Sequence, residues 1–411
     1  MVGFPGAEAE VQTSESESEV LRHQVQFLCD ELARLYSSRS WKLAEWMRRA
    51  RHPGNYLLYS AESVAGQLSA LSRRSRYRRV MPDLPWKVRI DLGRHLGVQF
   101  HHHRSGWTYA VAALSALHRA GFPFLDTFVE RTFAGLWSPP ATHLRTWAGV
   151  CHLPFSMPAW LPEYLGAQFF GSFSRNASWA CCLRRCAGLF ALSEAHAADL
   201  RRATGLPVCT LHHPTEVPSL QWSLDRFLAN PDKKVIQVGW WLRNLHAIFL
   251  ARFPGYAKVL LEVAGQHVKD YFQAEEEHLL RQGAFRPDLR RTVQVVPHVP
   301  NEVYDSLLSE NLVFLDLYAS SANNAIVECI ARGTPLLVNR LASVEEYLGA
   351  SYPLYYSSYE EAEHKAANVD LIQQAHAHLA SEPVRRRIDP RTFLRAFMRS
   401  EVFQRLGRDQ G

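Results

Sequence analysis

The stretch from Leu312 to Val338 narrows the choice of fold more than any other part of the chain. Leu312 to Leu317 is a short apolar run with the composition of a buried strand. Tyr318 to Asn323 is small and polar, and reads as a loop. Asn324 to Arg332 carries apolar residues at helical spacing. Gly333 supplies the left-handed residue that ends a helix, and Pro335 prevents its continuation. Leu336 to Val338 is then the next strand. Strand, loop, helix, glycine stop and strand form a βαβ unit, and a βαβ unit requires a parallel sheet.

The same alternation recurs on both sides of this unit. Strands are expected at Val235 to Val238, followed by Gly239, at Val259 to Val263 and at Thr292 to Val296. Earlier in the chain they are expected at Val98 to His101, Thr146 to Cys151, Cys186 to Leu192 and Pro207 to Leu211. A tight turn at Arg104-Ser105-Gly106 leads into a helix from Trp107 toward Gly121, and Ser193 caps another through Arg202. Two such series imply an α/β chain with two Rossmann-like doubly wound domains facing a cleft, preceded by a helical arm. The expected divisions are a disordered start and short coiled-coil-like arm over 1–52, a basic linker over 53–85, an N-terminal domain over 86–213, a C-terminal domain over 214–388 and a C-terminal helix over 389–411. That helix starts with Asp389 as N-cap and Pro390 at the first helical position. In the arm, Leu21, Val25, Leu28, Leu32 and Leu35 make about two heptads, a surface for weak self-association.

Composition limits the function classes. The 411 residues are 47% hydrophobic and 21% charged, so large cores are affordable and wholesale disorder is excluded. The formal charge is +6. Arg73, Arg74, Arg76, Arg78 and Arg79 form the densest basic run, either a solvated linker face or a peripheral contact with an anionic membrane. No nucleic-acid motif accompanies the arginines, so no nucleic-acid partner is expected. The seven cysteines are irregularly spaced and read as buried free thiols of a reducing compartment. No signal-peptide pattern and no run of ~18 apolar residues is present, which gives a cytoplasmic expectation, peripheral at a membrane if the arginine run is used that way. His101, His102 and His103 cannot share one face of a strand, so no metal is expected there.

Ligands of doubly wound sheets bind beyond the carboxyl ends of the strands. In the second series that edge holds Tyr318 to Ala325. A helix starting at Asn324 presents free backbone N–H groups and a positive dipole end, suited to a diphosphate. Glu328 follows one turn later on the same face, either a ribose-binding carboxylate or an exposed helix glutamate.

The run Asn324-Ala325-Ile326-Val327-Glu328-Cys329-Ile330-Ala331-Arg332-Gly333-Thr334-Pro335 and the strand after it resemble the C-terminal motif of the retaining, group-1/family-4 type GT-B glycosyltransferases. Val235 to Gly239 resembles the opening of that family's C-terminal domain, and Ala187 to Glu194 its strand and Ser-Glu turn. The resemblance spans roughly residues 95 to 350 and implies a glycosyltransferase. Such an enzyme moves a sugar from a nucleotide-diphosphate donor to a glycan, lipid or other hydroxyl acceptor, with no cofactor and no metal. By the resemblance Glu328 binds the donor ribose, Arg243 the diphosphate, and the loop holding His298 and Val299 the base. Ser320, Ser321, Asn323, Asn324 and Ala325 line the donor, Gly106 approaches it, and His152 stands by the reacting sugar as the catalytic candidate.

Two departures matter. Ser320 stands where that family has an acidic residue, eight positions before Glu328, and the lysine near Arg243 is missing. Asp316 is the nearby carboxylate able to substitute for the first. Serine at that position fixes neither the sugar nor the anomeric outcome. The same departures motivate the alternative of a non-catalytic glycan- or partner-binding protein on this scaffold. His212 and His213 fall in the connector between the two series and read as hinge residues.

Overall fold

A computed structural model of the chain describes residues 71–97, 106–134, 141–155 and 157–408. The expected strand at 98–101, the three histidines at 101–103 and the heptads at 21–35 lie outside the described residues.

The first unit holds four parallel strands in the order β1 (Phe124–Asp126), β2 (Trp147–Cys151), β3 (Cys186–Ala191) and β4 (Val208–Thr210). Beside β1, Ile90 bridges His118 and Asp91 bridges Phe124, both parallel. Consecutive residues of an extended chain present their N–H and C=O groups to opposite edges. His118 and Phe124 therefore flank the Ile90–Asp91 segment on opposite sides, and strand order reverses there. The sequence reading did not contain β1, because three residues carry too short a pattern to register. The helices used below are α1 (Trp107–Leu114), α2 (Val129–Phe133) and α3 (Glu194–Thr204). Ser193 caps α3 by accepting the His196 N–H, and Gly205 ends it at φ 66°.

The second unit is a six-stranded parallel sheet. Its strands are β5 (Lys234–Gln237), β6 (Ala257–Leu261), β7 (Gln294–Val296), β8 (Leu312–Leu315), β9 (Leu336–Asn339) and β10 (Tyr355–Tyr356). Their spatial order is β10-β9-β8-β5-β6-β7. The chain builds outward from β5 in one direction, then returns to build outward from β8 in the other. With right-handed crossovers this places helices on both faces, the doubly wound Rossmann arrangement, and its switch point lies between β5 and β8. Helices α4 (Gln266–Arg281), α5 (Asn301–Ser309), α6 (Asn324–Arg332) and α7 (Ala342–Leu348) fill the crossovers. Gly333 ends α6 at φ 71°. β8 and β9 are buried along nearly their whole length, as a two-sided sheet demands.

The chain crosses between the units twice, side by side, where the Thr215 N–H donates to the Ile388 carbonyl at 3.1 Å. Asp389 then caps α8 (Pro390–Arg399) by accepting from Arg391 and Thr392 N–H. α8 and the following α9 (Glu401–Arg408) return to the first unit. Phe393, Leu394, Phe397, Met398, Val402, Phe403 and Leu406 join Trp107, Val111, Leu114 and Phe190 in one core. Burying seven such side chains contributes on the order of 10 kcal/mol of transfer free energy before chain entropy is subtracted. Met81 and Leu84 belong to the same core, so the compact unit begins before Trp86.

The arginine run is only partly a surface. Arg73 donates to Ser115 Oγ at 3.0 Å and Arg74 to the Ala116 carbonyl at 3.4 Å. Both cations satisfy the carbonyl end of the helical segment that starts with α1. Arg76, Arg78 and Arg79 remain exposed. No described helix is long and apolar enough to cross a membrane. Cys151, Cys182, Cys186, Cys209 and Cys329 are free, whereas Cys181 is disulfide-bonded. Cys181 is also half-buried rather than buried, which corrects the reading of all the cysteines as buried free thiols.

Candidate functional site

The switch point is built from two loops that run against each other. After β5 the chain turns at Gly239, with φ 74°, and continues through Trp240, Trp241, Leu242 and Arg243. Leu242 adopts φ 55°, the sole positive-φ residue other than glycine among the described residues. A buried leucine in that region is strained, and such strain concentrates at functional turns. After β8, Leu317 bridges Arg243 in antiparallel fashion, Asn244 N–H donates to the Asp316 carbonyl at 2.8 Å, and Tyr318 N–H donates to the Leu242 carbonyl at 3.0 Å.

Arg243 lies at the centre of this arrangement. It is 7% exposed. Its Nη2 donates to Asn323 Oδ1 at 2.8 Å and its Nη1 to the Trp241 carbonyl at 3.1 Å. Asn323 is the N-cap of α6, and the same Oδ1 accepts the Ala325 N–H at 3.0 Å. The guanidinium is thereby held at the positive end of the helix. A Cβ on Gly239 would lie 2.7 Å from Arg243 Cζ, so only glycine lets the side chain fold back here. Burial lowers the arginine pKa to about 10, which leaves it charged at neutral pH. Arg243 Nε and Trp241 Nε1 are both buried donors without a hydrogen-bond partner. Orphaned buried donors are costly, and two of them in one turn mark a place where a bound acceptor is expected.

Glu328 is 5% exposed, so the exposed-glutamate alternative is excluded. Tyr304 Oη donates to its Oε2 at 2.6 Å, and Arg332 lies 3.7 Å from the same oxygen. Arg332 also pairs with Asp305 and packs against the Tyr304 ring. Tyr304 and Asp305 belong to α5, directly after the loop holding His298 and Val299. His298 is exposed and Val299 packs at the margin of the core. Asp316 does not replace the missing acid at Ser320. Its Oδ2 accepts from Asn244 Nδ2 at 3.0 Å and from Tyr359 Oη at 2.8 Å, a structural tie between β8 and its surroundings.

The first unit supplies the facing wall. Gly106 starts α1 at φ 51°, and a Cβ there would approach Asn324 Nδ2 to 3.4 Å. His152 follows β2. Its Nε2 bonds the Thr127 carbonyl at 2.9 Å, which fixes the neutral tautomer with the proton on Nε2. The ring stacks on Phe128 at 4.1 Å and meets the Trp107 edge at 4.5 Å. Burial pushes its pKa down to about 3, so it is uncharged at neutral pH. Ser321 Oγ donates to the His152 carbonyl, joining the 318–323 loop to the first unit. Gly106, His152, Ser321, Asn323, Asn324 and Arg243 thus meet across the cleft, whereas His298 and Val299 lie in the loop between β7 and α5.

Several participants escaped the sequence reading. Tyr347 donates to the Leu192 carbonyl and accepts from the His213 N–H, both at 2.8 Å. Its neighbour Glu346 accepts from the N–H groups of Glu194 and Ala195 at 2.6 and 3.0 Å. Phe169, Leu161 and Leu165 of the first unit pack with Leu242, Leu245 and Tyr271 of the second. A cluster of this kind joins residues distant in sequence and has no local signature. Glu130, buried beneath His152, had none either: followed by Arg131 and Thr132, it reads as an ordinary charged helix position.

No protein-family model matches the chain, and no curated protein matches it in sequence. Solved structures do resemble it. A trehalose 6-phosphate synthase from Burkholderia multivorans aligns with a TM-score of 0.48 and 14% identity, over 74% of this chain and 76% of that one. A sucrose-phosphate synthase from Thermosynechococcus elongatus gives 0.47 and 14%, over 74% and 77%. HepE from Anabaena, solved with UDP and glucose, gives 0.43 and 15%, over 66% and 73%.

Proposed function

We propose that the protein is a glycosyltransferase that moves a sugar from a nucleoside-diphosphate donor to a hydroxyl group of a glycan or lipid acceptor. The observation that carries this reading is the buried Arg243 clipped to the N-cap of α6 at the switch point, with its Nε unpartnered. A diphosphate there would meet a charged guanidinium, a helix N-terminus and a spare indole donor in one turn. Glu328, oriented by Tyr304, is placed one helical turn deeper for the ribose.

The reaction breaks the bond between the anomeric carbon and the β-phosphate oxygen and forms one to the acceptor oxygen. The acceptor proton passes to the leaving phosphate. Arg243 and the α6 amides stabilise the charge that develops on that phosphate. Neutral His152 has its Nε2–H committed to Thr127, so its role is to shape the wall beside the sugar and orient the acceptor rather than to carry a proton at neutral pH. A thermal-shift panel of nucleoside diphosphates and nucleotide sugars tests the proposal. Stabilisation by at least one nucleoside diphosphate is expected. No shift with any member at millimolar concentration would sink the reading.

A second reading has one observation in its favour. Asp316 is engaged with Asn244 and Tyr359, so it does not supply the acid absent at Ser320. A non-catalytic binding protein on the same scaffold would bind nucleotide without turnover. Sustained release of nucleoside diphosphate from donor and acceptor rules this out.

A further inference from the structure

One peptide in the cleft is gripped from both sides. The peptide joining His152 to Leu153 donates its N–H to Glu130 Oε1 at 2.8 Å, and its carbonyl accepts Ser321 Oγ. The N–H and C=O of a trans peptide point in opposite directions, so Glu130 and Ser321 stand on opposite sides of it. The preceding peptide gives its own N–H, from His152, to the same Glu130 oxygen at 2.5 Å. Glu130 lies on α2 of the first unit, and Ser321 lies between β8 and α6 of the second. A carboxyl group in one core is thereby connected through a single peptide to the loop that faces it.

Glu130 is 1% exposed, and its Oε2 is buried with no hydrogen-bond partner. Its helix neighbours Val129 and Phe133 are core residues. An apolar side chain would fill this position at lower cost, because a buried acid with an unused oxygen is destabilising. What an apolar residue would lose is the acceptor for two backbone N–H groups in the turn after β2.

We propose that Glu130 is a positioning residue: it sets the His152–Leu153 peptide so that its carbonyl receives Ser321, and so fixes the 318–324 loop against the first unit. Hydrogen bonds at the two ends of one peptide polarise it and strengthen each other. The proposal takes its meaning from the donor-site reading of that loop, but its geometry does not depend on it.

Hydrogen exchange on the full chain, with no nucleotide present, tests it. Glu130→Ala should speed amide exchange tenfold or more both at 152–153 and at 320–325. Glu130→Gln keeps an oxygen in the Oε1 position and should restore protection in both segments. Ser321→Ala cuts the link at its other end and should speed exchange at 320–325. Wild-type protection of 320–325 in Glu130→Ala overturns the proposal. If that variant does not fold, wild-type protection of 320–325 in Ser321→Ala overturns it instead. Since no nucleotide enters the experiment, these outcomes leave the nucleotide-binding reading untouched, and a negative nucleotide panel leaves the positioning role untouched.

Discussion

Arg243 Nη2 and the Ala325 N–H share a single acceptor, Asn323 Oδ1, at 2.8 and 3.0 Å. The cation from the loop after β5 and the Ala325 amide in the first turn of α6 are therefore registered to each other before any ligand arrives. Preorganisation of this kind removes an ordering cost at the moment of binding.

The arrangement requires the forked geometry of arginine. Arg243→Ala, and nearly as strongly Arg243→Lys, should weaken binding of the best nucleoside diphosphate by about 10- to 100-fold, since one charge-assisted contact contributes about 1.5–3 kcal/mol. Isothermal titration measures it. Unchanged affinity in Arg243→Ala would place the diphosphate elsewhere.

Glu328→Gln keeps the shape of the side chain and removes its charge. The wild type should prefer a ribonucleotide over its 2′-deoxy analogue by roughly tenfold, the worth of a hydrogen bond to a charged acceptor. The variant should lose most of that preference while retaining its fold through the Arg332–Asp305 pair. Equal discrimination by both proteins would remove Glu328 from the ribose site.

Glu130 makes stability depend on pH. Burial raises its pKa to about 8, against 4.5 for the exposed group. The folded state therefore holds a proton that the unfolded chain releases between these values, and stability falls as pH rises through that window. The penalty grows from near zero at pH 4.5 to roughly 3 kcal/mol at pH 7 and levels off above pH 8. Glu130→Gln cannot ionise, so its denaturant stability should gain on the wild type by that amount across the window. Parallel pH profiles for the two proteins would show that the acid is not buried in this way.

Gly239→Ala should destabilise the chain by about 1–3 kcal/mol, because φ is 74° and the new methyl would press on the guanidinium. Nucleotide affinity should fall with it, as Arg243 is displaced. Gly255→Ala, also at positive φ but with open space around the new Cβ, provides the control for backbone strain alone. Equal effects of the two substitutions on affinity would show that contact with Arg243 is not what matters.

Local patterns carried much of this molecule. The strand, helix and glycine stop at 312–338 were legible because each depends on residues within a few positions of itself. The caps at Ser193 and Asp389 were legible for the same reason. The helix starting at Tyr359 is capped by Ser358, which accepts the Glu361 N–H, and not by its neighbour Ser357. Two adjacent serines offer the same chemistry, and only backbone geometry selects between them.

The sequence by itself determined the parallel α/β character of the chain, the switch-point loop at 318–325 and the nearness of Asn324 to Glu328. All of these follow from periodicities that act over one or two helical turns. Tertiary structure decided which groups remain available. It tied Asp316 to Tyr359, gave Tyr304 to Glu328, joined Arg243 to Asn323 and brought Ser321 to the His152 carbonyl. Those partners lie tens to more than a hundred residues apart in the chain. Burial and the pairing of donors with acceptors are properties of three-dimensional neighbourhoods, and no local pattern encodes them.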